Sequence, residues 1–280
     1  MVKRLQERLA IQESGKIYNS YDIVGDIAII KVPNGNMENA TRAAHAIMGL
    51  YPRKVKTVFL QTGAVQGDFR VRALKFLAGE NRTVTVHREE GCSFRVDVEK
   101  CYISPRLLHE HQRIPRLVAL GEVVVNMFAG VGLFSILIAK KAVDATVYSI
   151  DINPTAFDHM QENVRLNGVS NRVFPLLGDS KQIIDAQLQG VADRVLMPLP
   201  ELALEYLPCA LKALKPSGGW IHYFDFEHAA KDEEPIEKTC QKVKARLDNL
   251  GASYSIGLSR VIRSTGPNWY QTVLDLQIKA

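Results

Sequence analysis

Hydrophobic and polar positions fall into two successive patterns along the chain. Residues 1 to about 20 read as a charged lead-in; after it, Ile27 to Val32 reads as a strand and Glu38 to Leu50 as an amphipathic helix. Lys56 to Leu60, Phe69 to Phe76, Thr83 to His87 and Ser93 to Val98 then alternate or run apolar in strand fashion. These pieces predict an α+β unit over residues 21–103. From Ser104 the grammar changes. Apolar strands near 122–126, 145–150, 172–177, 193–197 and 219–225 are separated by helical patterns, and that alternation predicts a doubly wound, mostly parallel sheet over 104–280. The last two apolar stretches, Ala252 to Val261 and Thr272 to Ile278, flank the turn-rich Ser264 to Asn268 and predict an antiparallel hairpin.

One junction of the second pattern carries chemistry. Val123 to Asn126 runs apolar, breaks at Met127, Phe128 and Ala129 into the glycines Gly130 and Gly132, and resumes as the helical pattern Leu133 to Lys141. Strand, glycine loop and helix start are what a nucleotide-like cofactor needs, because glycines let the backbone approach it closely. The next strand ends on Asp151, about 20 residues on, the offset of an acid that hydrogen-bonds a ribose. The third glycine of a dinucleotide fingerprint is missing, since Phe134 stands there, so hydride transfer is the poorer reading.

Ligands of such sheets bind outside the carboxyl ends of the strands, which directs attention to two further loops. Gly178-Asp179 follows the third strand; its acid either sits beside a cofactor base or caps the helix starting at Ser180. Met197-Pro198-Leu199-Pro200 follows the fourth, where a proline-stiffened loop either holds a planar substrate or simply leaves the strand rigidly. Ser104-Pro105 is a helix opening, after which Arg106, Glu110 and Arg113 share one face, as an ion-pair stripe or as a carboxylate kept ionised by cations. Arg70 and Arg72 share one face of the expected strand, more often a solvent-facing arrangement, and His109, His111 and His222 read as packing or surface groups rather than ligands.

Composition narrows the classes. Of 280 residues 46% are hydrophobic and 23% charged, an ordinary soluble balance for one large or two modest domains. The absence of an apolar run of membrane length and of a signal-peptide core predicts a cytoplasmic protein. Cys92, Cys101, Cys209 and Cys240 lack zinc spacing and read as buried thiols, so no metal is expected. The net charge of +5 permits a polyanionic partner without demanding one.

The segments GDFRVRALKFLAGENRTVTVHREEGCSFRVDVEKCYISPRLLHE, VVVNMFAGVGLFSILIAKK, YSIDINPTAFDHMQENVRLNGV, LLGDS, DRVLMPLP, GGWIHYF and RSTGPNWYQTVLDLQI, in this order, resemble the tRNA guanine-37 N1-methyltransferases of archaea and eukaryotes. The resemblance runs from about residue 20 to the C-terminus and implies a class I methyltransferase domain, Rossmann-like and doubly wound, preceded by an α+β RNA-contacting domain. It implies S-adenosylmethionine as cofactor, the tRNA anticodon stem-loop as partner, no membrane, and a monomer. Carried over residue by residue, it implies that Tyr102, Arg106, Phe128, Gly130, Gly132, Asp151, Ile152, Asp179 and Pro198 bind the cofactor, that Arg70 contacts guanine O6 and that Glu110 is the general base. N1 of guanine carries a proton, so methylation there needs a proton acceptor and a cation for charge developing on O6.

The sequence departs from the family pattern twice: Pro198 replaces the asparagine of the usual Asn-Leu-Pro, and Asn126 stands where aspartate is common. Many relatives carry an extra tRNA-elbow domain, and the short lead-in predicts that this chain lacks it. The alternative is a wybutosine-pathway reaction at the same nucleotide, by aminocarboxypropyl transfer or by methylation of a tricyclic precursor. A non-catalytic RNA-binding module of the same fold is the reading from a different class.

Overall fold

The computed structural model describes residues 21–32, 37–63, 67 and 69–280; the charged lead-in lies outside them. A small sheet has the order β1 (Asp22–Val24), β2 (Ile27–Ile30), β3 (Thr57–Gln61), β4 (Leu74–Gly79), with β2 and β3 parallel and the outer pairs antiparallel. The β2 to β3 crossover is helix α1 (Met37–Leu50), whose Ala40, Ala43, Ala44 and Ile47 recur at helical spacing and are buried against the sheet. The hairpin β5 (Val84–Glu89) and β6 (Cys92–Asp97) follows.

The strand expected over Phe69 to Phe76 begins only at Leu74. Arg70 adopts φ 52°, left-handed and incompatible with a strand, and Arg72 is buried instead of facing solvent. Arg72 donates to the carbonyls of Val98 and Ile103, at 3.5 and 2.7 Å, which offsets the cost of burying a guanidinium and ties the stretch to the chain leaving β6.

A seven-stranded sheet forms the larger unit: β12 (Tyr254–Gly266), β13 (Trp269–Lys279), β11 (Gly218–His228), β10 (Arg194–Met197), β7 (Val123–Asn126), β8 (Thr146–Asp151), β9 (Val173–Leu177). The five strands from β11 to β9 are parallel, and β13 pairs antiparallel with both β11 and β12, as the sequence pattern predicts. Helices α2 (Leu108–Leu117), α3 (Leu133–Lys141), α4 (Pro154–Leu166), α5 (Ser180–Ile183), α6 (Ala203–Ala213) and α7 (Pro235–Asn249) complete it. Helix α3 is buried along almost its whole circumference, Leu133 through Ala139, because it packs between the sheet and the preceding elements. The chain order reverses between β7 and β10, so a crevice opens outside their carboxyl ends.

Paired polar groups join the parts. Asn163 on α4 and Asn167, which caps its C-terminal end, replace a missing strand along the edge of β6. Asn163 accepts from the Arg95 amide at 2.7 Å and donates to Arg95 and Val131 carbonyls, both at 3.0 Å. Asn167 accepts from the Ser93 amide and donates back to its carbonyl, at 3.0 and 2.8 Å. Deeper in the fold, Arg113 of α2 bridges Glu110 and Asp275 of β13, and Asp275 accepts from His222 Nδ1 at 2.6 Å. His222 Nε2 in turn accepts from Arg194, itself paired with Glu122 at 2.8 Å. His222 has no exposed surface and burial pushes its pKa down, so it is the neutral link of this chain. Burial alone would raise the Asp275 carboxyl, but the hydrogen bonds from His222 and Arg113 outweigh it and hold it well below the usual range.

Asp275→Ala is therefore expected to leave Arg113 and His222 without their common acceptor and to lower stability by about 3–5 kcal/mol. Urea unfolding of the variant checks this, and a loss within error of zero would mean that the network reorganises freely.

Candidate active site

The crevice between β7 and β10 holds a cavity of about 280 Å³. Its floor is the loop after β7. Met127 and Ala129 donate to carbonyls of Leu196 and Ile150 on the neighbouring strands, at 3.0 and 2.8 Å, which pins the loop before its glycines. Gly130 has φ 57°, a conformation a side chain would strain, and its amide donates to Asp151 Oδ2 at 2.6 Å. Asp151 Oδ1 accepts from the Asn153 amide at 2.9 Å, so one carboxylate at the end of β8 shapes both loops. Its burial raises the pKa, against the two amide hydrogen bonds that favour the charged form.

Asp179 fills both roles left open for it. It caps α5, accepting from the Lys181 and Gln182 amides at 2.7 and 3.4 Å, and it also lines the cavity. Its second oxygen accepts from the Tyr206 hydroxyl at 2.7 Å. Tyr206 meets Phe128 edge-on, with ring centroids 5.2 Å apart, and both rings line the same wall. Ile152 presents an exposed apolar side chain to this space, which suits the face of a planar ring.

The opposite wall comes from outside the parallel sheet: Phe69, Arg70, Tyr102, Ile103 and Ser104, with Pro198, Leu199 and Leu202 across from them after β10. The Arg70 and Arg72 guanidiniums lie over the Tyr102 ring, 4.6 and 5.1 Å from its centroid. Arg70 pairs with Glu201, while its Nε is buried without a partner. His111 also reaches the cavity. Its Nδ1 lies 2.7 Å from Glu89, whose carboxyl burial would raise but which His111 and His87 hold down to about 2. His111 is buried, as its reading as a packing or surface group allows, but its place at the cavity is set by its neighbours and not by its spacing.

Of the residues carried over from the resemblance, the structure brings Arg70, Tyr102, Phe128, Gly130, Asp151, Ile152, Asp179 and Pro198 into the lining of one cavity. Three others stand apart. Glu110 is fully buried outside that lining, its oxygens taken by Arg113, at 2.8 and 3.0 Å, and by Arg260. Arg106 turns away to Asp22 of β1, at 2.6 Å, because the 3-10 turn Pro105–Leu107 points it toward the small sheet. Gly132, at φ 87°, starts α3, and a Cβ there would come within 2.9 Å of Met160, so it serves helix packing. Ser104 and Pro105 open that turn, as the sequence predicts, with no side-chain cap bond from Ser104. The four cysteines are free thiols, three of them buried, and burial pushes Cys101 up to about 12. Among the described residues no His, Cys, Asp and Glu group is arranged to hold a metal, and no helix is long and apolar enough to cross a membrane.

A doubly wound sheet with an antiparallel last strand, a glycine loop after the first parallel strand and acids after the next two defines a class I S-adenosylmethionine-dependent methyltransferase. Residues 85–253 match the TRM5/TYW2 methyltransferase domain profile and residues 1–83 the TYW2 N-terminal domain profile, and the chain belongs to the TRM5/TYW2 family. It is 39% identical over 259 residues to the tRNA (guanine(37)-N(1))-methyltransferase Trm5b of Pyrococcus abyssi, covering 92% of this chain and 74% of that one. It is 36% identical to the tRNA 4-demethylwyosine(37)-methyltransferase Taw21 of Saccharolobus solfataricus, covering 99% and 98%. The crystal structure of Pyrococcus abyssi Trm5b superposes with a TM-score of 0.81 at 38% identity, covering 93% of this chain and 75% of that one. The structure of aTrm5 in complex with tRNALeu superposes with a TM-score of 0.85 at 34% identity, covering 100% and 79%.

Asp151→Ala is expected to release the Gly130 and Asn153 amides together and to weaken S-adenosylmethionine binding at least about tenfold, the equivalent of one charge-assisted hydrogen bond. Isothermal titration calorimetry reads this directly; unaltered affinity would place the cofactor elsewhere.

Proposed function

We propose that this chain transfers a methyl group from S-adenosylmethionine to N1 of guanine 37 in the anticodon loop of tRNA, acting as a monomer. The observation that carries the reading is Arg70: a guanidinium with an unpartnered buried Nε, in the wall of the same cavity as Asp151 and Asp179 and opposite the stiff loop after β10. A donor so placed suits an oxygen on which negative charge develops as N1 loses its proton. S-adenosylmethionine supplies the activated methyl group when bound. Asp151 would hold its ribose hydroxyls, Ile152 and Phe128 its adenine faces, and Asp179 the adenine edge, with Tyr102 closing the opposite side. Phe69, exposed at the cavity mouth, offers a stacking face to a base drawn out of the loop. The unit β1 to β4 with α1 lies beside that mouth and is the proposed RNA-contacting part.

Glu110 keeps its place in this reading as the proton acceptor, on one condition. Its carboxylate is held by Arg113 and Arg260, and it receives a proton only when Arg260 lets go. Arg260 lies on β12, partly exposed, with its Nε unpartnered, and an RNA phosphate is a suitable competitor for it. Glu110→Gln is expected to slow single-turnover methyl transfer about 100-fold or more while S-adenosylmethionine affinity holds. A normal rate would confine Glu110 to the structural network.

A second reading has its own support. The match to the 4-demethylwyosine methyltransferase spans both chains almost end to end, and residues 1–83 match an N-terminal domain named for TYW2. One experiment separates the readings: incubation with S-adenosylmethionine and transcripts of one tRNA bearing G or A at position 37, followed by nucleoside mass spectrometry. One-methylguanosine from the G transcript alone is the expected result. Product only from a tRNA carrying the tricyclic precursor, or an aminocarboxypropyl adduct, would move the activity to the second reaction class.

A further inference from the structure

We infer that Glu201 reads the 2-amino group of the target guanine, working as one unit with Arg70. The inference rests on the guanine reading above and assigns a specificity residue to that site. Glu201 lies between Leu199 and Leu202, both of which line the cavity, and its carboxylate reaches across the mouth to the Arg70 guanidinium. Its neighbours Pro198, Leu199, Pro200 and Leu202 have no polar side-chain atoms, so Glu201 is the ionisable group of this loop. The two prolines fix φ on both sides of Leu199 and limit how far the loop can move when a base enters.

The geometry of the pair matches one edge of one base. Guanine presents an acceptor at O6 and a donor at its 2-amino group, on either side of N1. Arg70 offers a donor and Glu201, beside it, an acceptor, and once their ion pair opens the position between them falls to N1. Adenine reverses the first contact, since its 6-amino group would face the guanidinium, and it offers no donor for the second. Without a bound base, donor and acceptor satisfy each other. Their ion pair is weak because the Glu201 side chain is 47% exposed, whereas that of Arg70 is 17% exposed. A guanine edge can therefore take the place of each partner in its hydrogen bond, O6 accepting from Arg70 and the 2-amino group donating to Glu201. Arg70 also has a reason to stay in place when the pair opens: its left-handed backbone and its position over the Tyr102 ring hold it in the wall.

Inosine isolates the Glu201 contact, since it keeps O6 and N1–H and lacks the 2-amino group. The test compares kcat/KM for methylation of transcripts bearing G or inosine at position 37, using the wild type, Glu201→Ala and Glu201→Gln. The wild type should favour G about tenfold or more, as expected for a hydrogen bond to a charged group. Glu201→Ala should slow the G transcript by that factor, leave the inosine transcript near its wild-type value, and bring the ratio close to one. Glu201→Gln, whose amide oxygen still accepts, should recover part of the preference. S-adenosylmethionine affinity measured on each variant confirms that the fold is retained. If Glu201 only braces Arg70, both transcripts slow together and the ratio survives, which overturns the assignment; so does a wild type that uses both transcripts equally. No product from either transcript, with product from a tricyclic-precursor tRNA, would overturn the guanine reading itself and this assignment with it.

Discussion

The position of Arg113 between two buried carboxylates is the constraint on which the arrangement of the site depends. Its guanidinium satisfies Glu110 on its own helix and Asp275 on β13, and through Asp275 it reaches His222, Arg194 and Glu122 across the sheet. Buried charges are tolerated only with their partners in good geometry, so α2 has one seat against the sheet rather than a range of them. The segment Tyr102 to Leu107, which forms one cavity wall, runs directly into that helix and inherits its position. The energy of such a network is less informative than its geometry: an apolar contact would hold α2 as strongly but would allow it to slide.

The same logic explains how two structural units make one cavity. The small sheet, the hairpin and the large sheet share one apolar core, and each joint adds a polar group with a specific partner: Arg72 on the Val98 and Ile103 carbonyls, Asn163 and Asn167 on the edge of β6, Arg106 on Asp22. Directional bonds fix relative orientation in a way that burial of apolar area cannot. The consequence for chemistry is that Arg70, from the first unit, and the loop after β10, from the second, face each other across a gap narrow enough for a direct ion pair.

The large sheet was legible in the sequence almost strand for strand, because fully buried parallel strands are short apolar runs and each ends on a recognisable loop. Gly130, Asp151 and Asp179 were found by the same route. Long-range polar pairing was not legible. Nothing in local spacing separates an Arg106, Glu110, Arg113 stripe in water from one whose members are divided among Asp22, Arg260 and Asp275, since those partners lie about 80 to 160 residues away in the chain. Arg70 and Arg72 were misplaced for a related reason. Their alternation satisfies a strand template, but the burial of Arg72 and the left-handed turn at Arg70 win over it. The place of His111 at the cavity was not legible because it is set by Glu89, on a hairpin that the helix pattern does not reveal.

Glu110 and Arg70 carry opposite implications for how the site works. Arg70 sits in the cavity wall with an unpartnered nitrogen and a weak, exchangeable partner, an arrangement ready for a ligand. Glu110 has no surface and two arginine partners, an arrangement that resists one. If both act on the same base, binding of the polyanion must do more than deliver it: it must also draw Arg260 from Glu110, because a carboxylate enclosed by two cations is a poor proton acceptor. The clamp would then tie proton removal to the presence of RNA, and a free nucleobase, with no phosphate to offer Arg260, would find the recognition half of the site in place and the proton-accepting half closed.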